Sequence, residues 1–490
     1  MLDRDLESIQ AVRDLVRNAK AAAEQLAKFS QQQVDAICAE IAKDGAAQAE
    51  KLAKLAAEET GFGVWQDKVL KNLLGSAITW DYCKNMKTVG LLSEDLATGL
   101  WEIGVPVGIV AALIPSTNPT STTLYKAIVS LKAGNAVIFS PHPGAKRSIL
   151  ATVELIQAAA KRAGAPEHIV QCITLTTMEA TNALLKHRDT GVILATGGEA
   201  MVRAAYSSGN PAIGVGPGNG PAFIEQSADV STAVRHIIES KTFDNGTICA
   251  SEQSVVVEAA IAQKVEAEFK SQGGHFLNTD ESERLGKLLL RPNGTINPQV
   301  VGKSATKVAE MAGIAVPANT QVLLSRQDSV SPQNPYAREK LCPVLAWYVE
   351  PDWEIACQRC MELLHNEGVG HTMVIHSKNE AVIREFALQK PVSRLLVNTP
   401  AALGGVGATT SLAPALTLGC GSVGGSSTSD NITPLHLMNI RRVAWGTKEL
   451  GSLRGNTPAP APTALTPQLD ITPEQIAEIT RKVMARLGQI

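Results

Sequence analysis

The sequence predicts an α/β protein made of more than one domain, and three observations carry that expectation. The chain has 490 residues, too many for a single compact core. Beyond an Ala-, Glu-, Lys- and Leu-rich start, short β-rich runs alternate with helix-like segments. Such alternation implies βαβ crossovers and a mostly parallel sheet covered by helices. The alternation also comes in two sets, one before and one after Cys249, which reads as two α/β domains.

Taken in order, residues 3–75 place apolar positions at helical spacing and read as helices. GVPVGIVAALIP, ending at Pro115, is a short β-rich run. Strands are expected at 136–140, 169–174, 191–195, 221–225 and 254–258, with helical segments at 144–163, 178–187 and 228–241. The second set adds strands near 344–349, 372–376 and 394–397. The composition then changes. Residues 452–470 are rich in Pro, Ala and Thr and hold little that could build a core, so they read as an extended linker. ITPEQIAEITRKVMARLGQI comes next. Thr472 suits an N-cap, Pro473 the first helical position and Gln475 the third position of a capping box. Ile476, Ile479, Val483 and Leu487 form one apolar stripe. A helix this short is marginal alone, so it needs a surface to dock on: a partner's, or that of its own domain.

A formal net charge of -2 gives no reason to expect nucleic acid or a membrane surface as the main partner. MLDRDLESIQ begins with charges and lacks the apolar core of a signal peptide. The run Val107 to Pro115 is too short to span a bilayer. A cytoplasmic protein is the expectation. Eight scattered cysteines suit reduced thiols better than a disulfide framework. Cys357 and Cys360, in WEIACQRCMELL, read as one packed helix face rather than as a metal or redox pair, and no metal is expected.

Four segments are placed to carry chemistry. In FDNGTICASEQ at 243–253, Cys249 follows a Gly-containing turn, which can turn its sulfur into a cleft. Nothing local proves that its thiolate is favoured, and an inert buried thiol is the alternative. Asn118, in Ile114–Asn118–Pro119, stands at the C-terminal end of an expected strand, where ligands of open α/β sheets gather. Its amide suits an oxyanion donor or, equally, a turn before proline. The alternate glycines of 214–221 allow a close backbone approach to a ligand or another chain but lack the G-x-G-x-x-G spacing. Thr196–Gly197–Gly198 precedes a helix-like segment, where backbone N–H groups bind phosphate, or else it is a simple tight turn.

Together and in this order, IPSTNPTST, KAGNAVIFSPHP, ATGGEAMV, GVGPGNGPAFI, FDNGTICASEQ, EKLCPVLA and the GHT at 370–372 resemble the aldehyde dehydrogenase superfamily. The resemblance is to its CoA-acylating branch, the acetaldehyde and propionaldehyde dehydrogenases, and runs from about residue 5 to 450. It implies an aldehyde dehydrogenase-like α/β fold: two Rossmann-like domains with a small β oligomerisation arm. The expected layout is a nucleotide-binding domain over 1–230, with part of the arm near 91–103, and a catalytic domain over 231–420. The rest of the arm follows at 421–451, then the linker and the helix at 471–490. A homodimer or homotetramer is implied.

By the same resemblance Cys249 is the nucleophile, while Asn118 and the Cys249 backbone N–H hold the oxyanion. Thr196, Gly197, Gly198, Pro115 and Ser140 fall where the family binds its cofactor NAD, and Glu339 matches a glutamate on the nicotinamide ribose. His371 of GHT is a candidate helper near the site, or a structural histidine. The glycine-rich 419–425 stretch is a candidate approach site for coenzyme A.

Two departures from the wider family matter. Hydrolytic members carry a glutamate in an E-L-G-G-K-like segment that activates the deacylating water. Val215–Asn219 stands there and holds no carboxylate. That favours release of the acyl group to the thiol of CoA. Ser140–Pro141–His142–Pro143 replaces the Lys-Pro-Ser-Glu of NAD-using relatives, which leaves NADP open. The tail resembles the encapsulation peptides of enzymes packed inside bacterial microcompartments, which dock on shell or cargo proteins. The expected activity is oxidation of propanal or acetaldehyde to acyl-CoA. The alternatives are a hydrolytic aldehyde dehydrogenase and an inactive shell-binding scaffold.

Overall fold

The computed structural model describes residues 3–454 together with 472, 477–478 and 481–482. The expected linker beyond 454 and the stripe of the tail helix lie outside the described residues.

The helices of the first half are α1 (Arg4–Leu26), α2 (Gln31–Ala47), α3 (Ala49–Thr60), α4 (Trp65–Leu73), α5 (Thr79–Cys83), α6 (Pro119–Lys132), α7 (Lys146–Arg162), α8 (Met178–Leu185) and α9 (Glu199–Tyr206). The strands run from β1 (Gly90–Asp95) and β2 (Leu100–Pro106) through β3 (Ile109–Ile114), β4 (Ala136–Pro141), β5 (Val170–Cys172), β6 (Thr190–Thr196), β7 (Ala212–Val215) and β8 (Pro221–Ile224). They continue with β9 (Ser254–Glu258), β10 (Gly274–Phe276), β11 (Val322–Arg326), β12 (Val344–Glu350), β13 (Gly370–His376), β14 (Val392–Val397) and β15 (Met438–Ala444).

The first sheet has the order β5-β4-β3-β6-β7, every pairing parallel. The chain starts at the centre with β3, moves out to β5, then returns to the other side with β6. The C-terminal ends of β3 and β6 therefore flank the point where the order reverses, the place where open α/β sheets bind ligands. β3 and β4 are buried along their whole length, as strands covered on both faces must be. The second sheet is also all parallel, in the order β10-β11-β12-β9-β8-β13-β14. β8 belongs to it, so the change of sheet falls between Val215 and Pro221, ahead of the expected boundary at 230. Two apolar clusters cover its faces, and Phe223 stacks on Phe386 in one of them with centroids 4.8 Å apart. The first sheet and its helices share a separate core.

β1, β2 and β15 make a three-stranded sheet. Residues 91–104 and 440–454 form a compact unit of their own, in which Trp101 meets Trp445 edge to face and Arg442 pairs with Glu102 at 3.0 Å. Residues 421–439, which the sequence grouped with the arm, fall within the larger unit. Cys357 and Cys360 are buried in the helix Trp353–Asn366. Among the described helices none is long and apolar enough to cross a membrane.

Candidate active site

Cys249 is delivered by a tightly constrained loop between the 3-10 turn Phe243–Gly246 and β9. Asp244 and Asn245 both hold left-handed backbone, with φ of 50° and 52°. Non-glycine residues keep such angles only where their surroundings impose them, and those places cluster at functional sites. Here the surroundings are visible. The Asp244 carboxylate is fully buried and accepts from Val64 N–H at 2.7 Å, Lys68 Nζ at 2.9 Å, Thr247 Oγ1 at 2.7 Å and Lys71 Nζ. Its charge is satisfied and its loop is pinned.

Seven of the eight cysteines are buried, and Cys249 alone keeps partial access to solvent. That access is narrow. The protein crowds the sulfur enough to push its pKa up to about 12, chiefly by burial, then by the charges of Glu339 and Cys420. Arg394 opposes the rise. At neutral pH the resting thiol is therefore protonated, and attack requires the proton to leave as substrate binds. Glu339 is raised to about 8 by burial, although its Oε1 accepts from Gly218 N–H at 3.0 Å. Arg394 is a buried cation held by Thr372 Oγ1 at 3.1 Å, His371 O at 3.0 Å and Gly419 O at 2.7 Å.

Asn118 stands at the end of β3 as the N-cap residue of α6, with Pro119 in the first turn. Its Nδ2 donates to Thr247 O at 3.2 Å, two residues before Cys249, and its Oδ1 accepts from Lys71 Nζ at 2.6 Å. The fold thus joins Asn118 to the Cys249 loop across 129 positions of sequence. His371 is buried on β13, and burial with Arg394 nearby drives its pKa down to about 3. The ring is neutral. Its Nδ1 pairs with Thr372 Oγ1 at 3.0 Å rather than with Cys249, and its Nε2 has no hydrogen-bond partner among the described residues.

Pro115, Ser140, Thr196, Gly197 and Gly198 line one cleft at the C-terminal ends of β3, β4 and β6. Gly198 is the N-cap residue of α9, and a Cβ there would meet only open space. Free N–H groups at a helix start suit a pyrophosphate. Among the described side chains that line the cleft none is acidic, so none of them would repel a dinucleotide's phosphates. Glu339 is not one of these lining residues; it sits with Cys249 instead. Among the described residues no group of three or more His, Cys, Asp or Glu could hold a metal ion.

Of the 214–221 glycines, Gly214, Gly218 and Gly220 are packed against the protein's own chain, while a Cβ at Gly216 would meet only open space. A Cβ at Gly218 would stand 1.8 Å from the Cys249 carbonyl oxygen. Gly218 is thus a bearing surface for the Cys249 loop, and Val215 is buried in the same segment. Residues 419–425 lie beside Arg394, which donates to Gly419 O. Sequence reasoning missed Lys68, Lys71, Asp244, Thr247 and Arg394. The available signal was weak: two lysines three apart on α4 look like an ordinary solvated face, yet both are buried to within 3%.

Similarity to known proteins agrees with this geometry. The chain matches the aldehyde dehydrogenase family over residues 6–361. It is 44% identical over 435 residues to the bifunctional aldehyde-alcohol dehydrogenase AdhE of Escherichia coli K12, covering 88% of this chain and 49% of that one. The chain spans about half the length of the aldehyde-alcohol dehydrogenases it matches. Its fold superposes on an acetylating aldehyde dehydrogenase from Geobacillus thermoglucosidasius with a TM-score of 0.90 and 48% identity, over 92% of this chain and 99% of that one. A propionaldehyde dehydrogenase from the Clostridium phytofermentans fucose utilisation bacterial microcompartment aligns with a TM-score of 0.80 and 29% identity, over 89% and 97% of the two chains. With an accessible cysteine beside a fixed asparagine, and a phosphate-ready cleft at the switch point of a parallel sheet, the chain belongs to the aldehyde dehydrogenase family.

Proposed function

We propose that the protein oxidises a short aldehyde, propanal or acetaldehyde, and transfers the acyl group to coenzyme A with NAD as hydride acceptor. Cys249 Sγ attacks the aldehyde carbonyl, and Asn118 Nδ2 with the Cys249 N–H holds the oxyanion. A bound NAD would supply the hydride acceptor that lets the adduct on Cys249 become a thioester. Thr196, Gly197, Gly198, Pro115 and Ser140 hold the dinucleotide, and Glu339 the nicotinamide ribose. The thiol of CoA then attacks the thioester carbonyl, and the Cys249 sulfur departs and regains its proton.

The observation that carries this reading is the missing base. The Val215–Asn219 segment beside Cys249 has no carboxylate to activate water. A thiol brings its own nucleophile and needs less help. The acetylating dehydrogenase and the microcompartment propionaldehyde dehydrogenase among its structural relatives support the same reaction class. The origin of the latter in a bacterial microcompartment supports packaging of this protein in one; that the 471–490 tail directs it there, and that the protein is a homo-oligomer, are proposed from the sequence alone. Of the two roles open to His371, its neutral ring and its hydrogen bond to Thr372 support the structural one beside Arg394 more than that of a catalytic helper.

The test is steady-state turnover of a homologous aldehyde series with and without CoA. Acyl-CoA should form at a rate that depends on CoA. Rapid production of free acid without CoA would assign the protein to the hydrolytic branch. Loss of both activities in Cys249→Ala is expected; comparable activity in that variant would remove the nucleophile.

A further inference from the structure

We infer that Lys71 is a positioning residue for the oxyanion donor: it fixes which end of the Asn118 amide faces the nucleophile loop. The inference rests on Asn118 being that donor. An asparagine amide has an acceptor end and a donor end of nearly the same shape. Rotated by half a turn, Asn118 would fit its pocket equally well but would aim a carbonyl oxygen, not an N–H, at the developing negative charge.

Two contacts at the amide prevent the rotation, and further bonds hold Lys71 in place. Lys71 Nζ is donor-only, so only Oδ1 of Asn118 can face it, and they meet at 2.6 Å. The Nδ2 end is thereby turned to Thr247 O at 3.2 Å, on the Cys249 side. Lys71 itself is locked by Asp244 and by Thr247 Oγ1 at 3.1 Å, and its side chain is only 2% exposed. Lys68 completes the support. It donates to Asp244 Oδ2 at 2.9 Å and to Thr117 O, the peptide just before Asn118, at 3.1 Å.

The cost of burying this cluster makes a purely structural role a poor account. Two buried ammonium groups share one fully buried carboxylate. A second carboxylate, Asp67, accepts Asp244 N–H at 2.7 Å and acts electrostatically on both lysines. Buried ion clusters of this kind seldom stabilise a fold better than apolar side chains of the same volume. An ammonium group that touches the amide oxygen of an oxyanion donor is, by contrast, well placed for a reaction in which negative charge grows. Gly63 shows how tightly α4 is seated on this cluster: a Cβ there would lie 1.8 Å from Asp244 Oδ1.

The experiment is a double-mutant cycle on the full chain with aldehyde, NAD and CoA. Lys71→Met should lower kcat about ten- to a hundredfold with little change in KM, and Asn118→Ala about 10²–10³-fold. The double variant should be no slower than Asn118→Ala alone, because Lys71 acts only through that amide. Thermal melting and NADH binding establish that each variant is folded. Should Lys71→Met fail to fold, Lys71→Gln carries the test, since its neutral amide keeps a donor towards Asn118 Oδ1 and should retain more activity than Asn118→Ala. Multiplicative effects in the double variant, or an unchanged kcat in a folded Lys71 variant while Asn118→Ala is slow, would overturn the inference and leave Asn118 as the donor. An unchanged kcat in Asn118→Ala would instead remove the donor assignment itself.

Discussion

Gly218 lies so close to Cys249 that a Cβ on the glycine would stand 1.8 Å from the cysteine's carbonyl oxygen and 2.8 Å from its carbonyl carbon. The obstacle is backbone, not the far end of a flexible side chain, so one segment or the other must move. Gly218→Ala should therefore destabilise the protein by about 1–3 kcal/mol, the usual range for overpacking, and should displace the nucleophile. A lowered melting temperature together with a severalfold loss of kcat is expected. An unchanged melting temperature would show that the two segments do not meet as described.

Cys249 is the one cysteine with access to solvent, and its thiol is held well above the ordinary range. Native protein treated with iodoacetamide should be labelled at this residue first, as read by peptide mass spectrometry. With a pKa pushed up to about 12, the thiolate fraction should grow roughly tenfold per pH unit through the neutral and mildly basic range. The alkylation rate should climb with it and show no plateau near neutrality. A rate already level at pH of about 7 would mean a favoured resting thiolate.

Glu339 contributes to that high value, since its negative charge opposes a second one on sulfur. Its own carboxyl ionises only near pH about 8 because it is buried. Below that pH it is protonated and resembles glutamine. Glu339→Gln should consequently alkylate at the wild-type rate at lower pH and faster than wild type above about 8. Alkylation slower than wild type in the basic range would contradict the assigned sign. The same variant should raise KM for NAD if Glu339 holds the ribose.

Much of this arrangement was legible in the residues, and the reasons are physical. β3 is a continuous apolar run, IVAALI, between Gly108 and Pro115, and β4, β6, β9 and β13 each hold an apolar centre (AVIF, VILA, VVV and MVI), the pattern that doubly covered parallel strands must have. Cys249, Asn118 and the Thr196–Gly198 turn stand at strand ends, where loops present side chains to ligands. β7, β10 and β11 escaped the sequence pattern. AIGV and GHF are too short to carry a period, and VLLSR comes after a stretch of turns. The Lys68–Lys71–Asp244 cluster was hidden for another reason. Its partners come from α4 and from the nucleophile loop, up to 176 residues apart, and no local spacing reveals that pairing.

The central claim is that Cys249 carries a thioester which a second thiol, not water, relieves. Mixing the enzyme with radiolabelled propanal and NAD in the absence of CoA tests it most directly. The expected result is a burst of one NADH per subunit, then near-arrest, with the label in the peptide containing Cys249 and its release as acyl-CoA when CoA is added. Sustained turnover to free acid without CoA, or label on any other residue, would contradict it.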